Sequence, residues 1–183
     1  MRMTTAHDAP CSDAPLDRMV VRPIGVDHFS SVRHLHATAL RSATRDALSD
    51  EEVASFVRLV YSPAYADLLM QEEVHGGWLD GELVGTVSWH PAGNSGSTIS
   101  LGGIFVRHPR LGIGRRLLAV AEAHARQSGF ERLSACTTDN AVPFFLALGY
   151  ETAARGVRTL AADCKLPVTF MRKALPPLRA SLH

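Results

Sequence analysis

The sequence predicts a mixed α/β fold in which helices cover one sheet within a single domain. Its 183 residues suffice for one domain with a substantial core. Three observations support this class. Apolar residues first recur at helical spacing, three strand-like segments with turn signals follow, and a glycine turn then separates a strand from a long amphipathic helix. The predicted order is β, two or three helices, β-β-β, α, β, α and β-β, which is not a regular βαβ array.

The first strand and the helices after it are predicted from apolar spacing and capping residues. Residues 19–24 are typical of a strand, and Asp27 can cap a helix with an apolar face. Ser49 and Glu52 form a capping box at the start of a second helix. A third, short helix is predicted over residues 63–71, so helices dominate the chain before the first hairpin.

The next three segments are predicted as strands joined by turns. Asp80 and Gly81 lie between two strand-like runs, which is a hairpin signal. The third strand covers residues 97–106 and contains Gly102 and Gly103. Paired glycines in a strand indicate a bulge or the close approach of another group to the backbone.

The stretch HPRLGIGRRLL, residues 108–118, places two glycines at the start of a helix. Unpaired N–H groups and the helix dipole make such a turn suited to anions, and glycine lets a phosphate approach closely. The stretch is not a P-loop, because Arg115–Arg116 follow Gly114 where a Lys and a Ser or Thr are needed. It is not a dinucleotide fingerprint either, because Leu117 occupies the third glycine position.

The C-terminal part is predicted to alternate strands and helices. The helix after the glycine turn continues to Gln127 and is capped by Gly129. The later elements are a strand over residues 132–138, a short helix over 140–149, strands over 150–160 and 166–175, and a hairpin turn over 163–166.

Two of these motifs resemble signatures of the GNAT N-acetyltransferases. A strand, the turn RLGIG and an amphipathic helix resemble the family's acetyl-CoA-binding signature, Gln/Arg-x-x-Gly-x-Gly/Ala. Asn140, a short aromatic helix and a Gly-Tyr pair resemble its second signature. The resemblance extends from residue 19 to 175. It implies a twisted, mostly antiparallel sheet of six to seven strands, splayed between the fourth and fifth, in a domain over residues 18–176.

The resemblance also implies acetyl-CoA as the acyl donor, with the turn amides on its pyrophosphate and its pantetheine arm along the strand edge. The residues assigned to the cofactor in this way are Ile104, Phe105, Val106, Arg110, Leu111, Gly112, Ile113, Gly114, Arg115, Asn140, Phe144 and Phe145.

Two positions depart from the family pattern. Pro109 stands at the Gln/Arg position and has no N–H donor, so Arg107 or Arg110 is expected to supply the cation. Phe145 stands where many relatives have a tyrosine that protonates the leaving thiolate, so this acid is expected to be absent. Tyr150 is an alternative acid, although its position favours the core.

The amine acceptor requires a base, since an amine attacks only when it is unprotonated. His90, at the end of a strand, is the first candidate, and Glu72, Glu73 and His75 come next. For each candidate taken singly, an ordinary solvated or loop-end polar residue is the favoured interpretation, and the preference is smallest for His90. The four histidines predicted on helices are expected at the surface, and they are His28, His34, His36 and His124. The nine histidines show no HExxH spacing, so no metal is expected.

The leading hypothesis is an acetyl-CoA-dependent N-acetyltransferase acting on a small amine, a peptide N-terminus or a lysine. The alternative is an acyl-CoA sensor or scaffold with little turnover, suggested by Phe145. A third possibility is transfer of a larger acyl group. No feature of the sequence identifies the acceptor.

Composition bounds the partners and the compartment. A net charge of +1 disfavours duplex nucleic acid, and no apolar run has the length of a membrane span. Three cysteines without CxxC spacing favour a reducing cytoplasm. Residues 1–17 lack the apolar segment of a secretory signal and are expected to form a mobile tail, as are residues 177–183. A homodimer through sheet edges remains open.

Overall fold

The computed structural model describes residues 14–43, 47–93, 96–162 and 164–176. The α-helices described are α1 (Ala14–Asp17), α2 (Phe29–Ala43), α3 (Asp50–Tyr61), α4 (Pro63–Met70), α5 (Ile113–Gln127) and α6 (Val142–Ala147). The strands described are β1 (Val20–Pro23), β2 (Glu73–Leu79), β3 (Glu82–Pro91), β4 (Thr98–Val106), β5 (Arg132–Thr137), β6 (Glu151–Ala161) and β7 (Cys164–Ala174). Short 3₁₀ turns cover Val26–His28 and Asp139–Ala141.

The strands form one sheet in the order β1-β2-β3-β4-β5-β7-β6. Every neighbouring pair is antiparallel except β4 and β5, which run parallel. These two strands pair only from Thr98 to Leu101, opposite Arg132 to Ala135, although both continue further. The mixed α/β class, the strand number and the splay between the fourth and fifth strands are therefore confirmed.

Helix α5 packs on one face of the sheet, and α2 and α3 pack on the other. The α5 residues that face the sheet are at most 1% exposed and recur every three or four positions, as an amphipathic helix requires. They are Leu117, Leu118, Ala121 and Ala125. The sheet thus separates two hydrophobic cores, and the cleft between β4 and β5 lies between them.

Local signals place the helices and the first hairpin as expected. The Ser49 hydroxyl accepts the Glu52 N–H at 3.2 Å, and the Glu52 carboxylate accepts the Ser49 N–H at 2.8 Å. This reciprocal capping box starts α3. Asp80 and Gly81 both adopt positive φ, 51° and 84°, as the two-residue hairpin turn between β2 and β3 requires.

A buried ion-pair network joins α5 to β7. The Glu122 carboxylate accepts Lys173 Nζ at 2.7 Å and Arg126 at 3.0 Å. Lys173 Nζ also donates to the carbonyl of Leu148 at 2.8 Å. The network therefore ties the last part of the sheet to the end of α5 and to the segment after α6.

Two predicted boundaries change. The turn predicted over residues 163–166 is wrong for Cys164 to Leu166, which already belong to β7, while Asp163 lies outside the described residues. Within the predicted N-terminal tail, residues 14–17 form α1, and Leu16 packs against the core. Residues 1–13 and 177–183 lie outside the described residues, so both tails stay predictions. None of the helices described has the length and apolarity needed to cross a membrane.

Candidate active site

The cleft opens where β4 leaves β5. Beyond Leu101 the edge of β4 that faces β5 has no strand partner in the described part of the chain. The β3–β4 register shifts at the same place, with Ser88 opposite Gly103 and Trp89 opposite Leu101, so Gly102 is the additional residue of a β-bulge. The predicted bulge at the paired glycines is therefore confirmed, and it lies at the start of the splay.

Each of the two glycines is covered by a side chain. A Cβ built on Gly102 would collide with the carboxylate of Glu72. A Cβ built on Gly103 would lie 2.7 Å from the ring of Phe105. A side chain at either position would have to displace the carboxylate of Glu72 or the ring of Phe105, since both rest directly on the bare backbone of β4.

Glu72 and His90 lie together beside the bulge. Glu72 Oε1 is 3.5 Å from His90 Nδ1, and the side chains are 18% and 37% exposed. The Glu72 N–H donates to the carbonyl of Leu69 at 3.4 Å, which holds the residue just after α4. His90 stays in position because it pairs with Ser100 in the β3–β4 ladder.

A neutral hydrogen-bonded network lies beneath Phe105, on the face covered by α2. His36 Nδ1 is 2.8 Å from the Tyr65 hydroxyl, and Nε2 is 2.7 Å from Thr86 Oγ1. The imidazole stacks on Phe105 with ring centroids 3.9 Å apart. Burial lowers the pKa of His36 to about 3, so it is neutral at ordinary pH. Burial, followed by the nearby charge of Glu72, raises the pKa of Tyr65.

His36 corrects the prediction that the helical histidines lie at the surface. His36 is only 3% exposed. It can be buried because hydrogen-bond partners on α4 and β3 satisfy both ring nitrogens. His34 is exposed, and His28 and His124 are partly buried. The helical periodicity of α2 could have identified His36, since it lies one turn after Val32 and one turn before Leu40, which are both buried.

The other two candidate bases lie elsewhere. His75 stacks on Trp89 at 4.5 Å, and Trp89 packs beside His124 of α5 at 5.0 Å. Burial lowers the pKa of His75. Glu73 Oε2 lies 3.9 Å from His124 Nε2. Both residues therefore belong to the α5 face of the sheet, and only Glu72 and His90 meet at the bulge.

The other end of the cleft is the N-terminus of α5. Arg110 and Gly112 both have positive φ, 68° and 80°, and Gly112 is the N-cap. Alternation between right- and left-handed backbone turns successive N–H groups to one side, and the first N–H groups of a helix lack intrahelical partners. The first intrahelical bond runs from the Arg116 N–H to the Gly112 carbonyl at 3.1 Å. The preceding amides are thus available to an anion.

The arginines of this turn divide into two groups. Arg107 forms an ion pair with Glu82, and Arg116 donates to the carbonyl of Leu16. Arg110 and Arg115 are exposed, and within the described residues neither forms an ion pair. Of the two arginines expected to replace the Gln/Arg side chain, Arg110 is therefore the one that no carboxylate in the described part of the chain holds.

The segment after β5 brings Phe144 to the α5 N-terminus. A Cβ built on Gly114 would lie 3.4 Å from Phe144 and 3.7 Å from Val106. Asn140 is exposed and accepts the Thr138 hydroxyl at 2.6 Å. Phe144 therefore lies beside the glycine turn that the sequence assigned to the cofactor, and the role of Asn140 stays a prediction.

Phe145 is placed differently from Phe144. It is 6% exposed, and its ring packs edge-on against Tyr150 at 5.1 Å within the core. Tyr150 is 2% exposed, and burial together with Glu122 raises its pKa. Sequence reasoning placed Phe145 on the cofactor, whereas the structure places its ring in the core. The expectation that Tyr150 is a core residue is confirmed.

Sequence reasoning ranked Glu72 below His90 because the contact between Glu72 and Gly102 is invisible along the chain. The pair of glycines was the available signal, since it indicated that another group approaches the backbone there. No group of three or more metal-ligating side chains occurs in the described residues, and the absence of a metal stays a prediction.

Comparison with known proteins identifies a family. Residues 34–150 match the model of the acetyltransferase (GNAT) family. No curated protein matches the chain significantly.

Solved structures share the fold. A GCN5-related N-acetyltransferase from Rhodopseudomonas palustris superposes with a TM-score of 0.76 at 22% identity, covering 85% of this chain and 95% of that one. YncA of Salmonella typhimurium, solved with its cofactor acetyl-CoA, gives 0.59 at 19% identity, covering 89% and 97%. PaiA N-acetyltransferase of Thermoplasma acidophilum, solved with coenzyme A, gives 0.63 at 15% identity, covering 85% and 98%.

Proposed function

The chain belongs to the GNAT acetyltransferase family, and from this premise we propose that it transfers an acetyl group from acetyl-CoA to a primary amine. The acceptor is a small molecule, a peptide N-terminus or a lysine, and it attacks the thioester directly in a ternary complex. One observation carries the proposal: an edge of β4 that has no strand partner among the described residues leads straight into a glycine turn and the N-terminus of α5.

The residues along this path fit coenzyme A. The amides that follow Gly112 suit a pyrophosphate, and Arg110 and Arg115 add positive charge at the same end. The open edge from Ile104 to Val106 can pair with the amide groups of a pantetheine arm, as an added strand would. Acetyl-CoA supplies an acetyl group already activated on sulfur. Solved proteins of the same fold that carry acetyl-CoA or coenzyme A support this assignment.

Release of the thiol does not require a side-chain acid at either position 145 or position 150. Phe145 has no proton to donate, and the Tyr150 hydroxyl is enclosed in the core with a raised pKa. A thiol has a pKa of about 8–9, so its thiolate is a tolerable leaving group near neutral pH. A proton lost by the amine during attack can satisfy the sulfur.

Two measurements test the donor side. Titration calorimetry with coenzyme A is expected to show binding, and incubation of acetyl-CoA with a panel of amines is expected to release free thiol above background. Gly114→Val should weaken binding at least tenfold, because a branched side chain there crowds Phe144 and Val106 in the cleft. Gly25→Val is the matched control, since a Cβ at Gly25 meets nothing within 4 Å. Absence of both binding and thiol release would exclude the proposed function.

The second candidate function is an acyl-CoA sensor with little turnover. The observation that favours it is Phe145 at the position of the family's acid, together with the inaccessible Tyr150. Tight binding of acetyl-CoA without transfer to any amine would support the sensor. Thiol release that depends on an amine would exclude it. Mass spectrometry of ligand retained by the purified protein separates acetyl from larger acyl groups.

A further inference from the structure

The acceptor side of the cleft carries an unneutralised carboxylate. Glu72 is mostly buried, and its oxygens rest on the bare backbone of Gly102 at the point where β4 leaves β5. Among the described residues no lysine or arginine forms an ion pair with Glu72, and its only ion-pair partner is His90 when that imidazole is protonated. A carboxylate in such a position is stabilised by a cation brought from outside.

The geometry favours Glu72 over His90 as the group that meets the acceptor. Glu72 lies directly over the β4 bulge, whereas His90 lies on the neighbouring strand opposite Ser100. His90 is also twice as exposed as Glu72, at 37% against 18%. Its buried Nδ1 lies 3.5 Å from Glu72 Oε1, so this side of the imidazole faces the carboxylate.

We infer that Glu72 is the catalytic base of this site and that its substrates are alkylamines, which arrive as ammonium ions. The inference rests on the proposed function and specifies its acceptor class. Gly102 contributes to this arrangement, because a Cβ at that position would displace the carboxylate from its place on β4. An amine that is already neutral in water has no charge to offer this site and no proton that must be removed before attack.

The proton balance of the step is complete. One N–H bond of the ammonium breaks, its electron pair stays on nitrogen, and the proton forms an O–H bond at Glu72. The nitrogen lone pair then forms the C–N bond of the amide as the C–S bond breaks with its electrons on sulfur. A second amine proton neutralises the thiolate, and the proton on Glu72 is lost to water.

The experiment compares Glu72→Gln with the matched control Glu73→Gln. These neighbouring carboxylates lie on opposite faces of the sheet, and Glu73 is next to His124. With the best alkylamine of the panel, Glu72→Gln should lower kcat/KM by about 10²–10⁴-fold, and Glu73→Gln should leave it within about threefold. Coenzyme A affinity should stay unchanged in both variants, because Glu72 is outside the donor half of the cleft.

A second comparison varies the protonation state of the acceptor amine. An analogue with a trifluoromethyl group on the carbon that bears the nitrogen has a similar shape but is largely neutral at pH 7. For this analogue the loss caused by Glu72→Gln should shrink to a few-fold. Gly102→Ala should reproduce the selective loss on the alkylamine, since the added methyl group displaces the carboxylate.

Each outcome has one meaning. Equal losses on both amines would overturn the inference, as would unchanged turnover in Glu72→Gln or a larger loss in His90→Gln than in Glu72→Gln. Loss of coenzyme A binding in Glu72→Gln would show a structural role and also overturn it. Wild-type protein that transfers acetyl groups to no amine would instead overturn the proposed function itself.

Discussion

The imidazole of His36 lies between Tyr65 and Thr86, with a hydrogen bond of 2.8 Å on one side and 2.7 Å on the other. Burial holds its pKa at about 3, against 6.5 in an unfolded chain. Between about pH 3 and pH 6.5 His36 is protonated in the unfolded state and neutral in the folded state. The stability that comes from neutral His36 is therefore complete above about pH 6.5 and is lost as the pH falls toward 3.

We predict that His36→Gln reduces the dependence of unfolding free energy on pH. In the wild type this histidine contributes up to about 1.4 kcal/mol per pH unit within that window. Denaturant unfolding of both proteins from pH 4 to 7 measures the difference. His75, whose pKa is also lowered by burial, is present in both proteins and cancels. Parallel curves for the two proteins would contradict a neutral His36.

Removing the negative charge of Glu122 should lower the unfolding free energy, because Lys173 and Arg126 both pair with this carboxylate. Glu122→Gln leaves the ammonium of Lys173 buried beside a weaker acceptor, so we expect a loss of about 1–3 kcal/mol in unfolding free energy. Arg126→Gln removes the more exposed i,i+4 pair and should cost only about 0.3–0.5 kcal/mol. Urea unfolding distinguishes the two. Equal losses of unfolding free energy in the two variants would show that the Lys173 contact stabilises the protein no more than the Arg126 contact does.

Gly112 is constrained by its backbone and by its neighbour. Gly112→Ala forces a side chain into a left-handed conformation, at about 1–2 kcal/mol, and brings its Cβ 2.9 Å from Leu16. We expect lower thermal stability and weaker coenzyme A binding. Adding Leu16→Ala removes the collision but keeps the backbone strain, so it should restore only part of the stability. Complete restoration would assign the whole effect to packing.

Phe145→Tyr should not restore an acid. Because Phe145 packs in the core, the new hydroxyl is buried without a partner, and we expect a loss of about 1–3 kcal/mol with no gain in kcat. Phe144→Tyr is the control, since Phe144 is only partly buried and borders Gly114. Thermal unfolding and steady-state rates of both variants provide the test. A rise in kcat for Phe145→Tyr would place that side chain at the leaving sulfur.

Local chemistry made much of this fold predictable. The capping box of Ser49, the Asp80–Gly81 turn and the glycines of the α5 turn act through neighbours in sequence, and each is found where expected. The paired glycines of β4 likewise predicted a bulge. These signals need no knowledge of distant residues.

The acceptor side could not be predicted in the same way. Glu72 reaches Gly102 across thirty positions of chain and two strands, and His36 gains its partners from α4 and β3. Polar residues become buried when such distant partners satisfy them, and helical spacing alone does not reveal those partners. Phe144 and Phe145 illustrate the same limit, since adjacent residues of one short helix point to the cleft and to the core.

Strands β4 and β5 share pairs only from Thr98 to Leu101, and this short ladder is the join between the two halves of the sheet. Strands β1 to β4 and strands β5 to β7 therefore meet within the sheet only along this ladder, and α5 packs against strands of both groups. A ligand bound between β4 and β5 would hold the two groups of strands together. We therefore expect the protein with bound ligand to be more rigid along this ladder than the protein without ligand.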